Sequence, residues 1–221
     1  MKSKLLLTSL LCITLSGCFP TVNKNVEIEV VKVDLDNDGE QDSSYGIVYY
    51  KDVAYVEPKL DLSHFGNVTE EYTLLFKQSN FPMAGTTCIY TKQEDNPDYL
   101  INANGEGIGL IKAVCFRTDI DLNEELFVYK DIEVKLHNEL TQVDVDTYKH
   151  LKSSEMKIVY IRDGNEKGVT LHMKKYPEIP YELYNLYEYE GNYYTKSSCG
   201  GYLKVSDFLI NLLIEKGLTI K

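Results

Sequence analysis

The chain has 221 residues, with 34 acidic and 23 basic side chains and a formal net charge of −11 at pH 7. This length suffices for one domain with a substantial hydrophobic core, or for two small domains. An acidic chain without any block of basic residues repels phosphate backbones, so nucleic acid is excluded as a partner. Two interpretations of the acidity stay open: it keeps the protein soluble, or it attracts a basic protein partner.

Residues 1–17 have the composition of a secretory signal peptide. Lys2 and Lys4 give a positive start, and residues 5–15 are almost wholly apolar. This apolar run is shorter than the roughly 20 residues that a helix needs to cross a bilayer core. Its length and flanks are those of an export signal that is removed from the mature protein.

The signal ends in Leu15-Ser16-Gly17-Cys18. This stretch resembles the bacterial lipobox, in which small residues precede a cysteine that receives a lipid. The resemblance implies a lipid on Cys18, which anchors the protein to a membrane of the cell envelope. It divides the chain into a signal peptide (1–17), a lipidated N-terminus and tether (18–25) and a single β-rich domain (26–221). Phe19 stands where Gram-negative lipoproteins of the inner membrane carry Asp, which implies the outer membrane, facing the periplasm. The alternatives are an ordinary signal peptide with a chance cysteine and an uncleaved anchor.

An acidic loop follows the first strand-like run, in which Val26, Ile28 and Val30 alternate with glutamates. The loop resembles the calcium-binding loops of EF-hand, dockerin and related extracellular repeats, with oxygens at alternating positions and a glycine at the sixth. Tyr45 replaces the bidentate glutamate at the twelfth position, and strand-like runs flank the loop, which predicts a weak strand–loop–strand site that stiffens a turn. The alternative is an acidic turn without metal. The resemblance implies carboxylate ligands from Asp34, Asp36 and Asp38, a backbone carbonyl ligand from Glu40, and a carboxylate or a bound water at Asp42.

Alternation with a period of two recurs along the rest of the chain and predicts strands with one solvated face. The clearest example runs from Leu126 to Leu136, with Val128, Ile132 and Val134 on the same parity. Residues 110–116 and 158–161 are apolar on both faces and predict central strands. We therefore expect a mainly β fold, a single antiparallel sheet or sandwich-like domain with one C-terminal α-helix.

Three cysteines remain in the mature chain, which the signal peptide directs to an oxidising compartment. Cys88 and Cys115 lie in apolar strand-like runs, whereas Cys199 lies in a Ser/Gly loop. The favoured pairing is a Cys88–Cys115 disulfide, and the alternative is that both are buried apolar thiols.

The C-terminal helix has both of its ends marked in the sequence. Ser206 is a good N-cap, Asp207 suits the first turn, and Gly217 is a C-terminal stop signal. The segment between them is apolar around most of its surface and predicts a helix that packs on a sheet.

No string of residues in the chain predicts a catalytic site. Cys199-Gly200-Gly201 before the helix resembles the nucleophile of cell-wall cysteine peptidases, where the catalytic histidine follows the cysteine. No histidine follows Cys199, because His172 is the last one. We therefore assign no catalytic residue and favour a non-enzymatic protein.

Eighteen tyrosines and no tryptophan occur in the chain, and the tyrosines concentrate between Tyr176 and Tyr194. Tyrosine suits both half-exposed strands and binding surfaces. The sequence favours a non-catalytic protein-binding or assembly module of the envelope, stabilised by calcium, with an envelope protein as partner. Two alternatives stay open: an antagonist or immunity-type lipoprotein that neutralises a toxin or cationic protein, and an envelope hydrolase.

Overall fold

The computed structural model describes residues 22–62, 71–79, 86–105 and 111–220. The predicted signal peptide and Cys18 lie outside the described residues. The fold is mainly β, with antiparallel sheets and a few helices, which confirms the predicted fold class.

The N-terminal half forms one antiparallel sheet in the order β1-β5-β6-β7-β8-β4-β3-β2. Although β1 and β2 are consecutive in sequence, they stand at opposite ends of this order. The backbone N–H of Lys24 donates to Leu75 in β5, and that of Lys51 donates to Asn25, so the chain between β1 and β2 links both edges. The sheet therefore folds back on itself. Its strands are β1 (Val22–Asn23), β2 (Val26–Val33), β3 (Ser43–Tyr50), β4 (Val53–Val56), β5 (Thr73–Ser79), β6 (Thr86–Thr91), β7 (Tyr99–Gly105) and β8 (Ile111–Arg117).

The C-terminal half forms two smaller antiparallel sheets. The first, in the order β10-β9-β14-β15, contains β9 (Phe127–Tyr129), β10 (Ile132–Val134), β14 (Val169–Met173) and β15 (Pro180–Leu183). The second has the order β11-β18-β17-β16-β12-β13, and β19 also pairs with β12. Its strands are β11 (Leu140–Gln142), β12 (Lys157–Asp163), β13 (Glu166–Lys167), β16 (Asn185–Tyr189), β17 (Asn192–Lys196), β18 (Tyr202–Val205) and β19 (Leu218–Ile220).

Two hydrophobic clusters hold these sheets together. The smaller cluster fills the inside of the folded-back sheet and includes Leu75, Leu100 and Cys115. The larger cluster joins the opposite face of β7 and β8, represented by Ile101, to the C-terminal sheets and to residues such as Leu213. Alternate residues of β7 thus face different clusters, as the pleat of a strand buried on both sides requires.

Three α-helices lie in the described part of the chain: α1 (Leu136–Glu139), α2 (Val145–Ser153) and α3 (Asp207–Glu215). The predicted C-terminal helix is α3. Its N-cap Ser206 accepts a hydrogen bond from the backbone N–H of Leu209, and Gly217 has a φ of 90°, as a left-handed C-terminal stop requires. Helix α2 carries a weaker apolar pattern and was not predicted.

The predicted strand from Leu126 to Leu136 is a hairpin followed by a helix. Ile132 pairs with Tyr129, so Lys130 and Asp131 form a two-residue turn between β9 and β10. Lys130 adopts a φ of 54° without being Gly, Asn or Asp. The turn changes which residues of β9 face the core. Phe127 is buried, whereas the alternation predicted that Val128 would be.

The predicted Cys88–Cys115 disulfide is wrong, because both residues are buried free thiols. Strand β7 lies between β6 and β8, which separates the two cysteines by two inter-strand spacings of about 4.8 Å each. Cys88 pairs with Ala103 and Cys115 pairs with Leu100, three residues away along β7. An odd offset places the two thiols on opposite faces of the sheet, where no disulfide can form.

Candidate functional site

The acidic loop connects β2 to β3, and strands flank it as the sequence predicted. Asn37 and Gly39 have positive φ values of 58° and 91°, which coil the chain tightly. The Asp34 carboxylate accepts backbone N–H groups of Asp38 at 3.2 Å and Gly39 at 2.9 Å. These bonds wrap the loop around Asp34. The carboxylates of Asp36 and Asp42 lie close to that of Asp34 as a result.

Three of the predicted ligands form a group that could hold a metal ion. Asp34, Asp36 and Asp42 each contribute a carboxylate oxygen, and these oxygens lie within 4.8 Å of one another. Asp36 is only 5% exposed, and its Oδ1 has no hydrogen-bond partner. A buried oxygen without a donor is costly and retains lone pairs for a cation.

Asp38, a further predicted ligand, has different surroundings. The side chain of Asp38 lies outside the three-carboxylate group, and its Oδ1 accepts the backbone N–H of Glu40 at 2.8 Å. Asp38 therefore closes the turn locally, as short polar side chains commonly do in loops.

Lys152 of α2 supplies a cation to the same group. Its Nζ lies 2.8 Å from Oδ2 of Asp36 and 2.6 Å from Oδ1 of Asp42. Tyr148, one helical turn earlier, donates its hydroxyl to Asp42 at 3.3 Å. The loop and α2 are thus joined through charge-assisted hydrogen bonds.

Lys152 governs the protonation of the two carboxylates it contacts. Its hydrogen bonds hold the pKa values of Asp36 and Asp42 below the usual range, against the opposing effect of burial. The same bonds raise the pKa of Lys152 itself. Asp36 and Asp42 are therefore ionised at neutral pH and share one ammonium group, with a third acidic side chain, Asp34, beside them. This excess of negative charge suits a further cation, for which Lys152 is a competitor.

Cys199 has no environment that would activate it as a nucleophile. Burial raises the pKa of its thiol. Its Sγ lies 3.7 Å from the Ser198 hydroxyl and 3.8 Å from the Glu57 carbonyl oxygen. None of the histidines that the structure describes hydrogen-bonds to this thiol, whereas a catalytic cysteine needs a base or a lowered pKa.

An exposed aromatic face covers part of the outer side of the β16–β12 pair. We define the aromatic face as Ile158, Tyr160, Tyr187 and Tyr202. Ile158 is 48% exposed, Tyr160 is 49% exposed, and Ile158 pairs across the strands with Tyr187. The rings of Tyr187 and Tyr202 meet edge to face with centroids 5.8 Å apart. Tyr148 of α2 lies next to Tyr202, so the helix covers one margin of the face.

Sequence reasoning found the three carboxylates and the region of the tyrosines, but it missed Lys152. Asp36 and Lys152 are 116 positions apart. A lysine in a helix carries no local signal of a distant acidic partner.

Comparisons with models of protein families, with curated proteins and with solved structures find no match for this chain. None of the helices in the described residues is long and apolar enough to cross a membrane.

Proposed function

We propose that this chain is a lipid-anchored, non-catalytic protein-binding module of the bacterial cell envelope. The lipobox-like sequence ending in Cys18 supports the anchor, and Phe19 supports a position in the outer membrane, facing the periplasm. The test of the anchor is Cys18→Ser, which we expect to move the protein from the membrane fraction to the soluble fraction. Unchanged fractionation would contradict it.

The observation that carries protein binding is the exposure of Ile158 and Tyr160 on the aromatic face. An isoleucine beside rigid tyrosines is the composition of the central part of protein–protein interfaces, where aromatic residues contribute most of the binding energy. Lys196 lies over the Tyr187 ring and places a charged group beside the rings.

The partner is a basic protein of the envelope. A net charge of −11 attracts cationic surfaces and accelerates their encounter with the aromatic face. An antagonist that neutralises a cationic toxin is a special case of this proposal, and it requires an association rate that falls strongly with added salt.

Calcium is proposed as a structural ion of the acidic loop. Asp34, Asp36 and Asp42 would supply carboxylate oxygens, which are the ligands that calcium prefers. The ion would neutralise the surplus negative charge and stiffen the β2–β3 connection. With few protein ligands, the site belongs to the weak range of extracellular modules, about 10⁻⁴–10⁻³ M.

The decisive experiment is affinity capture from envelope extract of the native organism, with three versions of the chain as bait. We expect the wild type to retain one stoichiometric basic protein and the Ile158→Ser, Tyr160→Ser double variant to lose it. Phe208→Ser is the matched control, since Phe208 is 59% exposed on α3, outside the aromatic face. Equal capture by the double variant and the wild type would contradict binding through the aromatic face.

The hydrolase alternative, with carboxylates or Cys199 as its catalytic groups, is disfavoured at Cys199, because burial raises the pKa of this thiol and so disfavours the thiolate. Activity on cell-wall or peptide substrates that disappears in Cys199→Ala would overturn the non-catalytic proposal.

A further inference from the structure

Strand β2 is a long strand at the edge of its sheet. It has eight residues, and among the strands that the structure describes it pairs only with β3. The other strands at the ends of the three sheets, β1, β10, β11, β13 and β15, have only two to four residues. Natural proteins keep edge strands short or cover them, because an exposed edge pairs readily with another chain.

Every second residue of β2 turns its backbone groups away from β3. In an antiparallel pair, hydrogen-bonded positions alternate with non-hydrogen-bonded ones. The backbone N–H of Lys51 donates to the carbonyl of Asn25, and the β2–β3 register continues from there with Val26 opposite Tyr50. Asn25 therefore holds a hydrogen-bonded position, and the backbone groups of Val26 and of every second residue after it point to the free edge.

The first donor on this edge is satisfied within the chain. The side-chain oxygen of Asn23 accepts the backbone N–H of Val26 at 2.8 Å. The next positions of the same parity are Ile28, Val30 and Lys32, and no strand in the described ranges pairs with them on this side. Their donors and acceptors form a row that another chain can use.

The inner face of this edge is apolar. Ile28 and Val30 share the parity of a residue in the smaller hydrophobic cluster, yet they are 37% and 66% exposed. Both line a cavity of about 290 Å³ together with Thr87 of β6 and Asn102 of β7, which places them on the inside of the folded-back sheet.

The outer face of the same edge is acidic. Glu27 and Glu29 are exposed there, and none of the ion pairs in the described part of the chain involves either of them. Glu29 accepts only the hydroxyl of Tyr49, at 3.0 Å. Lys32 is the only basic residue of β2, so the strand as a whole is complementary to a basic one.

We propose that the free edge of β2 binds an extended segment of a partner protein by strand addition, and that this segment alternates basic and apolar residues. Its backbone pairs with Ile28, Val30 and Lys32, which provides affinity. Its basic side chains lie beside Glu27 and Glu29 and its apolar ones on the inner face, which provides specificity. The edge and the aromatic face belong to different sheets, so failure of capture through the aromatic face leaves this proposal intact.

The probe is an eight-residue peptide of alternating lysine and valine with blocked ends. One control peptide has glutamate in place of lysine, and a second has the four lysines and the four valines in separate blocks. Fluorescence anisotropy measures their binding to the purified full-length chain. We expect the alternating lysine peptide to bind at least about tenfold more tightly than either control.

Amide hydrogen exchange, followed by NMR, locates the bound peptide. Exchange should slow at Ile28, Val30 and Lys32, whereas the residues between them, whose amides already face β3, should keep their rates. Equal affinity for the three peptides, or binding without slower exchange at these amides, would overturn the proposal. If protection appears without peptide and rises with protein concentration, a second copy of the chain occupies the edge and the assignment to a basic segment is wrong.

Two sets of variants test the backbone and the charges separately. Val30→Pro removes an N–H on the free edge without removing a β2–β3 bond, and it should weaken binding at least about tenfold. Val30→Thr is the matched control, since it keeps the N–H and the branched shape, and it should bind nearly as the wild type does. The double variant Glu27→Lys, Glu29→Lys should prefer the glutamate peptide.

Thermal melting establishes that each of these variants is folded, and the double variant decides the question if Val30→Pro does not fold. Equal binding by Val30→Pro and Val30→Thr would overturn the proposal. A double variant that still prefers the lysine peptide would also overturn it.

Discussion

Lys152 and Asp36 form an ion pair of 2.8 Å between a helix and a loop that are 116 residues apart in the chain. The ammonium group lies where a bound metal ion would contact Asp36 and Asp42. The ion pair also joins the loop to α2, whose Tyr148 lies against the margin of the aromatic face. The acidic loop and the aromatic face are therefore connected through one element, α2.

Replacing Lys152 by Met should strengthen calcium binding. In the wild type, calcium has to displace an ammonium group that makes two charge-assisted hydrogen bonds, and the variant removes this competitor. We expect calcium affinity to rise at least about tenfold and the melting temperature of the variant to increase more with millimolar calcium than that of the wild type.

Lys149→Met is the matched control for this comparison, since it removes an exposed lysine from the same helix. Its response to calcium should equal that of the wild type. If neither protein changes its melting temperature between calcium and chelator, the acidic loop is not a calcium site.

The free energy of unfolding should be highest around neutral pH, where the ion pairs of Lys152 with Asp36 and Asp42 are fully charged. Asp36 and Asp42 have lowered pKa values when folded, so their stabilising effect is complete above the ordinary aspartate pKa of 3.8 and is lost as the pH falls through the folded values. Lys152 has a raised pKa, so its effect is complete below 10.5 and is lost at higher pH.

Urea unfolding at a series of pH values measures this dependence. We expect the free energy of unfolding to decline below about pH 4 in the wild type. In Lys152→Met, the carboxylates lose the hydrogen bonds that lower their pKa values, so their contribution to this decline should disappear and the acid part of the profile should flatten. Superimposable profiles would show that the ion pair does not exist in solution.

His137 should cause a second loss of stability in mild acid. Burial lowers its pKa to about 4, and its Nδ1 is buried without a partner. Between pH 6.5 and 4 the unfolded chain takes up a proton that the folded chain does not, so stability falls with pH by at most about 3 kcal/mol. His137→Gln should flatten this part of the profile, whereas His172→Gln, at an exposed position, should leave it unchanged.

The elements that the sequence predicted correctly are those whose signals are local. Alternation located β2, a continuous apolar run located β12, and the cap at Ser206 located α3, because each pattern reflects the environment of one segment. The spacing in the acidic loop likewise selected Asp34, Asp36 and Asp42 before their convergence was visible.

The features that the sequence analysis missed depend on the order and the faces of strands that are far apart in the sequence. The turn at Lys130 has no glycine to mark it, and the contact of Lys152 arises only when α2 packs on the loop. The position of β7 between β6 and β8 separates Cys88 from Cys115, and no local pattern encodes that order.

The free thiols of Cys88, Cys115 and Cys199 give the most direct check on that strand order. We expect a denatured, unreduced sample of the mature protein to take up alkylating reagent at all three, with the same mass as a sample reduced beforehand. In the folded protein, Cys199 should react before Cys115, which is completely buried at 0% exposure. A deficit of two labels without reductant would mean that two of these cysteines are joined. If Cys88 and Cys115 were the missing pair, β6 and β8 could not be separated by β7, because a disulfide requires Cα atoms within about 7 Å.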